Sequence, residues 1–317
     1  MDVLLLWHEL FWPLSRLIFF MALGLSVGTF IEALHWTRRI AVLATPLIRL
    51  GHLSPLAGAS FSMAFFSGVS ANSMLAEAYE QGDIGKKELI CSNLFNSLPT
   101  YFLHLPTLFF ISFPLVKGAA FIYVGVTLLA AVLRTLVTLV VARVMLPPRS
   151  LEGASPQLDE RVSFLEVLQL TRKRLYRRLK KIICFTVPIY TVIFIIQKWG
   201  GFVILEEFMA EHVAFLSWLH PQSLGIIVLH LAAEFTAGLA VAGALLDSGV
   251  MGYRDVVLAL LVGNALSSPV RAVRHQLPYY TGIFPAKIAM ELIVYNQSFR
   301  FLSIVAVSVA YYFYPVF

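Results

Sequence analysis

Two short stretches concentrate polar side chains inside otherwise apolar sequence. Asn93, Asn96, Ser97 and Pro99 interrupt one apolar run, and Asn264, Ser267, Ser268 and Pro269 interrupt another. Proline removes a backbone donor and disfavours helix at the residue before it. Each break therefore frees carbonyl and N–H groups that need partners, because hydrocarbon supplies none. A bound solute or ion is one such partner. A neighbouring helix or water around a packed proline kink is the other. Two breaks of one kind in matching positions favour binding. A third stretch, Ser67-Gly68-Val69-Ser70-Ala71-Asn72-Ser73, is rich in small and hydroxyl residues. It reads either as a close helix-packing face or as a binding loop, and the Asn72 amide needs a partner in both cases.

Ionisable residues within apolar runs are functional candidates by default. His230 lies one helical turn before Glu234. The two form a candidate proton relay, half a metal site, or a His–Glu pair packed between helices. The spacing is not His-Glu-x-x-His, so a metalloprotease is poorly supported. Arg271 and Arg274 follow Pro269; they would meet an anionic solute or snorkel to the interface. His104 and His275 read as interfacial, and Glu291 reads as the i,i+4 partner of Lys287. Cys91 and Cys184, the two cysteines, read as buried thiols rather than a disulfide framework or a metal site. The sequence has no Walker loop and no Gly-x-Ser-x-Gly elbow, so neither a nucleotide engine nor an enzyme is expected. No catalytic residue, metal site or cofactor is assigned.

The elements that position these residues follow from composition. Of the 317 residues, 59% are hydrophobic and 13% charged. Soluble domains average roughly 45–50% and about 25%. Mean hydropathy is +0.80. One soluble core cannot bury this much apolar surface. The expected fold is all-α: a polytopic integral membrane protein of about eight apolar helical segments, each about 20–25 residues. They form two structurally repeated halves with broken or re-entrant helices. The candidate spans are 14–34, 53–79, 89–112, 118–146, 182–205, 223–247 and 256–280, followed by apolar pieces at 282–295 and 299–317. Residues 35–52 read as an interfacial helix. Asp2 and Glu9 stand where a signal peptide would be basic, so the first span is expected to be retained.

Charge orients the spans. The net charge is +6. Arg172, Lys173, Arg174, Arg177, Arg178, Lys180 and Lys181 cluster directly before an apolar run. Such clusters stay cytoplasmic beside a membrane, so nucleic acid is not an expected partner. Residues 147–163 form the least hydrophobic loop. The expected organisation is therefore a membrane repeat at 1–146, a cytoplasmic linker with a basic amphipathic helix at 147–181, and a second membrane repeat at 182–317. Lys86, Lys87 and Arg254 suit cytoplasmic turns, whereas Glu206, Glu207 and Glu211 suit the outside; Arg38, Arg39 and Arg49 fit less well. Parallel and inverted repeats both remain open.

The halves align when Gly68 is laid on Gly238, Asn93 on Asn264 and Pro99 on Pro269. The match spans about 75 residues per half, a hallmark of secondary transporters. The segment SGVSANSMLAEAYEQGDIGKKELICSNLFNSLPTY, echoed at 234–280, resembles the Gate domain, or nucleoside-recognition domain. That domain occurs in nucleoside transporters, in the membrane part of ferrous-iron transport GTPases and in spore-maturation membrane proteins. The likeness is to the stand-alone prokaryotic type with two repeats and covers about 20–145 and 180–310. The resemblance implies that the broken segments meet near mid-membrane around a gated solute site. Its contributors would be Ser67, Gly68, Asn72, Asn93, Asn96 and Ser97, with Asn264, Ser267, Ser268 and Arg271 from the second half. Ser70, Ser73, Pro99 and Pro269 complete the candidate set. The acidic and amide set that binds ribose and base in true nucleoside transporters has no clear match here.

The expected function is a secondary transporter or permease of a small polar or anionic solute, with nucleoside-like solutes in that class. It would act in the prokaryotic cytoplasmic (inner) membrane. Coupling to H⁺ or Na⁺ would run through His230 and Glu234. Its partners would be the lipid bilayer, the solute and a second copy in a homo-oligomer. The alternative is a non-transporting assembly or maturation component.

Overall fold

The computed structural model of the protein describes residues 7–16, 44–65, 67–148, 218–232, 235–272, 276–281 and 283–314, with isolated positions at 18–23 and 172–199. The described residues are helical and contain no strand. After a π-helical turn at Trp7–Phe11 come α1 (Ala44–Leu50), α2 (Pro55–Ala64), α3 (Gly68–Glu80), α4 (Lys86–Phe95), α5 (Ser97–Val116) and α6 (Gly118–Met145). Beyond the linker lie α7 (Ser223–Ala232), α8 (Phe235–Asp247), α9 (Tyr253–Leu266), α10 (Ser268–Arg271), α11 (Leu277–Thr281) and α12 (Ala286–Phe313).

Helix lengths recur across the linker. α2 and α3 have 10 and 13 residues, as do α7 and α8. α6 and α12 each have 28. α9, with 14 residues, is one turn longer than the 10-residue α4. The turns ahead of α4 and α9 are the same structure. Gly82 and Gly249 adopt left-handed φ of 81° and 74°. Gly82 N–H bonds Tyr79 O and Asp83 N–H bonds Ala78 O. Gly249 N–H bonds Leu246 O and Val250 N–H bonds Leu245 O. Both are Schellman caps, which glycine permits at no steric cost. A buried residue follows in each, Ile84 or Met251. Gly85 or Gly252 then caps the next helix.

Among the described residues, three stretches are long and apolar enough to cross a membrane: Lys86–Val116, Gly118–Met145 and Ala286–Phe313. This corrects the expected eight spans. Segments 53–79, 223–247 and 256–280 are divided into helices of 14 residues or fewer. Such pieces fall short of the roughly 20 residues needed for a crossing. Most of candidate spans 14–34 and 182–205 lies outside the described residues. The expected pieces 282–295 and 299–317 are instead one helix, α12, because the intervening Asn296–Ser298 contains no helix breaker.

α6 shows how a long helix serves two environments. Phe121, Leu129, Leu136, Val140 and Val144 form an exposed apolar stripe. The opposite face buries Tyr123, Thr127, Arg134 and Thr138. This inverts a soluble amphipathic helix, whose polar face is outside. It fits a helix whose outward face meets lipid. α12 repeats the pattern, with Val294, Leu302 and Val309 exposed while Ile304, Val307 and Tyr311 are buried.

The main core joins α5, α6, α7, α8, α9 and the end of α12. A second cluster joins α1, α2, α4 and the end of α6, and a third joins α3, α4, α11 and the start of α12. Small residues allow the closest approaches. A Cβ at Gly243 in α8 would lie 2.6 Å from the Leu115 carbonyl oxygen of α5. Two ion pairs also link residues on either side of the linker: Lys86–Glu291 at 2.6 Å and Lys117–Asp247 at 2.5 Å. Glu291 thus pairs with Lys86 across the fold rather than with Lys287 on its own helix. Cys91 is buried with a free thiol; Cys184 lies outside the described residues.

Candidate functional site

The two helix breaks fall at Asn96, between α4 and α5, and at Ser267, between α9 and α10. Both residues cap the preceding helix with nearly identical dihedrals, φ −63° ψ −8° and φ −74° ψ −9°. Pro99 and Pro269 sit in the first turn of the helix that follows. A missing N–H has no intrahelical partner to lose there. The prolines therefore restart helices rather than kink them.

Asn96 O keeps its backbone bond from Thr100 N–H at 3.2 Å and also accepts from Thr100 Oγ1 at 2.8 Å. The carbonyl freed near the end of α9 is bonded within the protein. Asn264 O accepts from Ser267 Oγ at 3.1 Å, Ser268 Oγ at 3.2 Å and Arg271 Nη2 at 2.7 Å. Ser267 and Ser268 thus serve the backbone break itself.

The protein holds a cavity of about 410 Å³, within the range of small-molecule sites, roughly 300–1,000 Å³. Residues from both sides of the linker line it. Gly68, Asn72, Asn93, Asn96, Ser97, Asn264 and Arg271 from the candidate set are all present in the wall. Ser67, Pro99, Ser267, Ser268 and Pro269 are not. Ser73 points away and is exposed. The Ser70 side chain, Glu234, Arg274 and His275 lie outside the described residues.

One polar cluster centres on Asn93 in α4. Its Nδ2 donates to Asn72 Oδ1 at 2.9 Å and to Tyr280 Oη at 3.1 Å. Asn296 Nδ2 donates to Asn93 Oδ1 at 3.4 Å. The cluster therefore ties α3 and α4 to α11 and α12. The corresponding cluster centres on Asn264 in α9. Its Nδ2 donates to Tyr123 Oη at 3.0 Å. Its Oδ1 accepts from Arg271 Nη2 at 2.6 Å and Arg300 Nη2 at 3.3 Å. Between the clusters in sequence, Asn96 Nδ2 donates to Ser60 Oγ at 2.7 Å, and Arg134 Nε donates to Ser97 Oγ at 3.0 Å. Two buried polar atoms in the wall, Asn96 Oδ1 and Arg271 Nε, lack a hydrogen-bond partner among the described residues. Such groups are costly unless a ligand or water satisfies them.

His230 is buried beside this site but does not line the cavity. A Cβ at Gly238 or Gly263 would come within 3.0 Å or 2.8 Å of its side chain. Those two glycines make the slot that holds the imidazole, and Phe235 meets it edge-on at 5.5 Å. Neither ring nitrogen has a partner among the described residues. Those residues contain no group of three or more His, Cys, Asp or Glu able to hold a metal.

Sequence reasoning missed Arg134, Arg300, Tyr123, Tyr280 and Asn296. The signal for Arg134 was legible, an arginine midway along an unbroken apolar run. Arg300 occupies a similar depth in α12. The tyrosines carried no signal, since aromatic residues fill apolar helices throughout this chain.

The chain matches no known protein-family profile. An uncharacterised protein of Methanocaldococcus jannaschii is 25% identical over 266 residues, covering 84% of this chain and 82% of its own length. A second from the same organism is 26% identical over 287 residues, covering 88% of this chain and 89% of itself. A third is 22% identical over 290 residues, covering 90% and 92%. These likenesses extend over most of each chain. No solved structure matches.

Proposed function

We propose that the chain is a secondary transporter or permease for a small polar or anionic solute, built from two Gate-type repeats. It acts in the prokaryotic cytoplasmic membrane, with the 147–181 linker on the cytoplasmic side. The observation that carries this reading is one cavity lined by Asn93, Asn96 and Ser97 from one break and by Asn264 and Arg271 from the other. The recurring helix lengths and the paired Gly82 and Gly249 caps support the two-repeat organisation. Coupling to H⁺ or Na⁺ is assigned to His230 and Glu234.

A thermal-shift screen of the purified protein in detergent tests the solute site. The library holds nucleosides, nucleobases, small carboxylates and divalent metals, with and without Na⁺ and at two pH values. A solute at 100 times its Kd should add about 2.7 kcal/mol of stability. That stabilisation should disappear in Asn93→Ala. Flux of the same solute into proteoliposomes tests transport. A folded protein that ignores every solute and copurifies with a protein partner would instead be an assembly component. If solute binding keeps the same pH dependence in Glu234→Gln, Glu234 has no part in proton coupling.

A further inference from the structure

Three arginines from three helices, Arg134 of α6, Arg271 of α10 and Arg300 of α12, line the same cavity. Each guanidinium stays charged and offers five donors in a planar fork. Their hydrogen-bond partners are neutral. Arg134 meets the Ser97 hydroxyl, while Arg271 and Arg300 share the Asn264 amide oxygen. Among the described residues no carboxylate lines the cavity, and none of the three has an acidic partner. Arg271 Nε is buried with no acceptor among the described residues. Like charges gathered in a low-dielectric space repel one another unless an anion joins them. One negative charge would leave two cations unmatched.

We infer that the cavity binds a small oxyanion carrying at least two negative charges, a dicarboxylate or a phosphate, gripped by Arg134, Arg271 and Arg300. The inference rests on reading the cavity as a solute site. Asn264 Oδ1 occupies the position of an anion oxygen, accepting from two guanidinium groups at once. Planar forks suit carboxylate and phosphate oxygens, which accept bidentate pairs. The neutral amides around Asn93 are left for the uncharged part of the solute.

The test uses the full chain in detergent and a series of one skeleton: succinate, its monoamide and its diamide, with inorganic phosphate alongside. Calorimetry and thermal shift are the readouts. Succinate or phosphate should bind, and the better of them should bind at least about tenfold tighter than the monoamide, a difference well resolved by calorimetry. Whichever binds tighter distinguishes dicarboxylate from phosphate chemistry. Arg300→Gln and Arg134→Gln should each flatten the charge preference, while Arg300→Lys keeps part of it. If a glutamine variant does not fold, the wild-type charge series decides alone. Equal binding of succinate and its diamide would overturn the inference. So would the absence of any shift with either anion at millimolar concentration. A neutral nucleoside that binds in an Asn93-dependent way, without anion binding, would sink this inference and leave the solute site standing. Anion binding without proteoliposome flux would uphold it and remove transport.

Discussion

Asn264 shows how one residue can organise a site. Its amide joins Tyr123 to Arg271 and Arg300, and its carbonyl closes the backbone break. Asn264→Ala removes the donor to the Tyr123 hydroxyl and the amide acceptor of Arg271 and Arg300, leaving Arg271 only its bond to the backbone carbonyl. The expected loss is about 1–3 kcal/mol, read as a lowered midpoint in a detergent melt. Asn264→Asp makes the opposite case. It places a carboxylate between two arginines, supplying in cis the charge that a bound oxyanion would bring. Its melting temperature should rise, and succinate should no longer raise it further. A stable Asn264→Asp protein that still responds to succinate as the wild type does would show that the anion sits elsewhere.

At the scale of elements, the paired caps make a quantitative claim about the repeat. Gly82 and Gly249 hold the same left-handed conformation in the same hydrogen-bonding turn. Alanine at either position should cost about 1–2 kcal/mol, with closely similar values at both, because the strain is local to the backbone. Unequal values in equilibrium unfolding would mean that the two turns carry different loads. Helix contact makes a separate claim. Gly243→Ala puts a methyl group 2.6 Å from the Leu115 carbonyl oxygen, and backbone cannot yield as a side chain can. Separation of α5 from α8 should lower stability by about 1–3 kcal/mol. Gly125→Ala serves as the control, since a Cβ there meets nothing within 4 Å.

For the whole molecule, the exposed faces of α6 and α12 set its behaviour. Val144 is 81% exposed, Val140 63% and Leu302 62%. A contiguous apolar surface of this kind is a liability in water and neutral in lipid. The protein should sediment with membranes, resist alkaline carbonate extraction and need detergent to remain dispersed. Recovery in the carbonate supernatant would contradict an integral location.

The helical class and the apolar character follow from composition and hydropathy, since burial in lipid demands both long apolar runs and internally bonded backbone. Local chemistry also marked the breaks. Asn-Ser-Leu-Pro and Ser-Ser-Pro end one helix and permit another because proline is harmless in a first turn and costly deeper in. Asn72, Asn93, Asn96, Asn264 and Arg271 were legible because polar side chains in apolar runs need a reason to be there. The number of long helices was not legible. Hydropathy sums composition over a window, whereas helix length depends on where the backbone stops, and residues 53–79 and 223–247 each hold two helices. Nor did sequence assign the donors at the breaks. Ser267 and Ser268 donate to the Asn264 carbonyl because they lie within one turn of it, and Arg271 reaches the same carbonyl while lining the cavity. Only the tertiary structure brought Arg134, Arg271 and Arg300 to one space. Arg134 meets two residues more than a hundred positions away through helix packing, and single-residue periodicity carries no record of which inward faces will share a cavity.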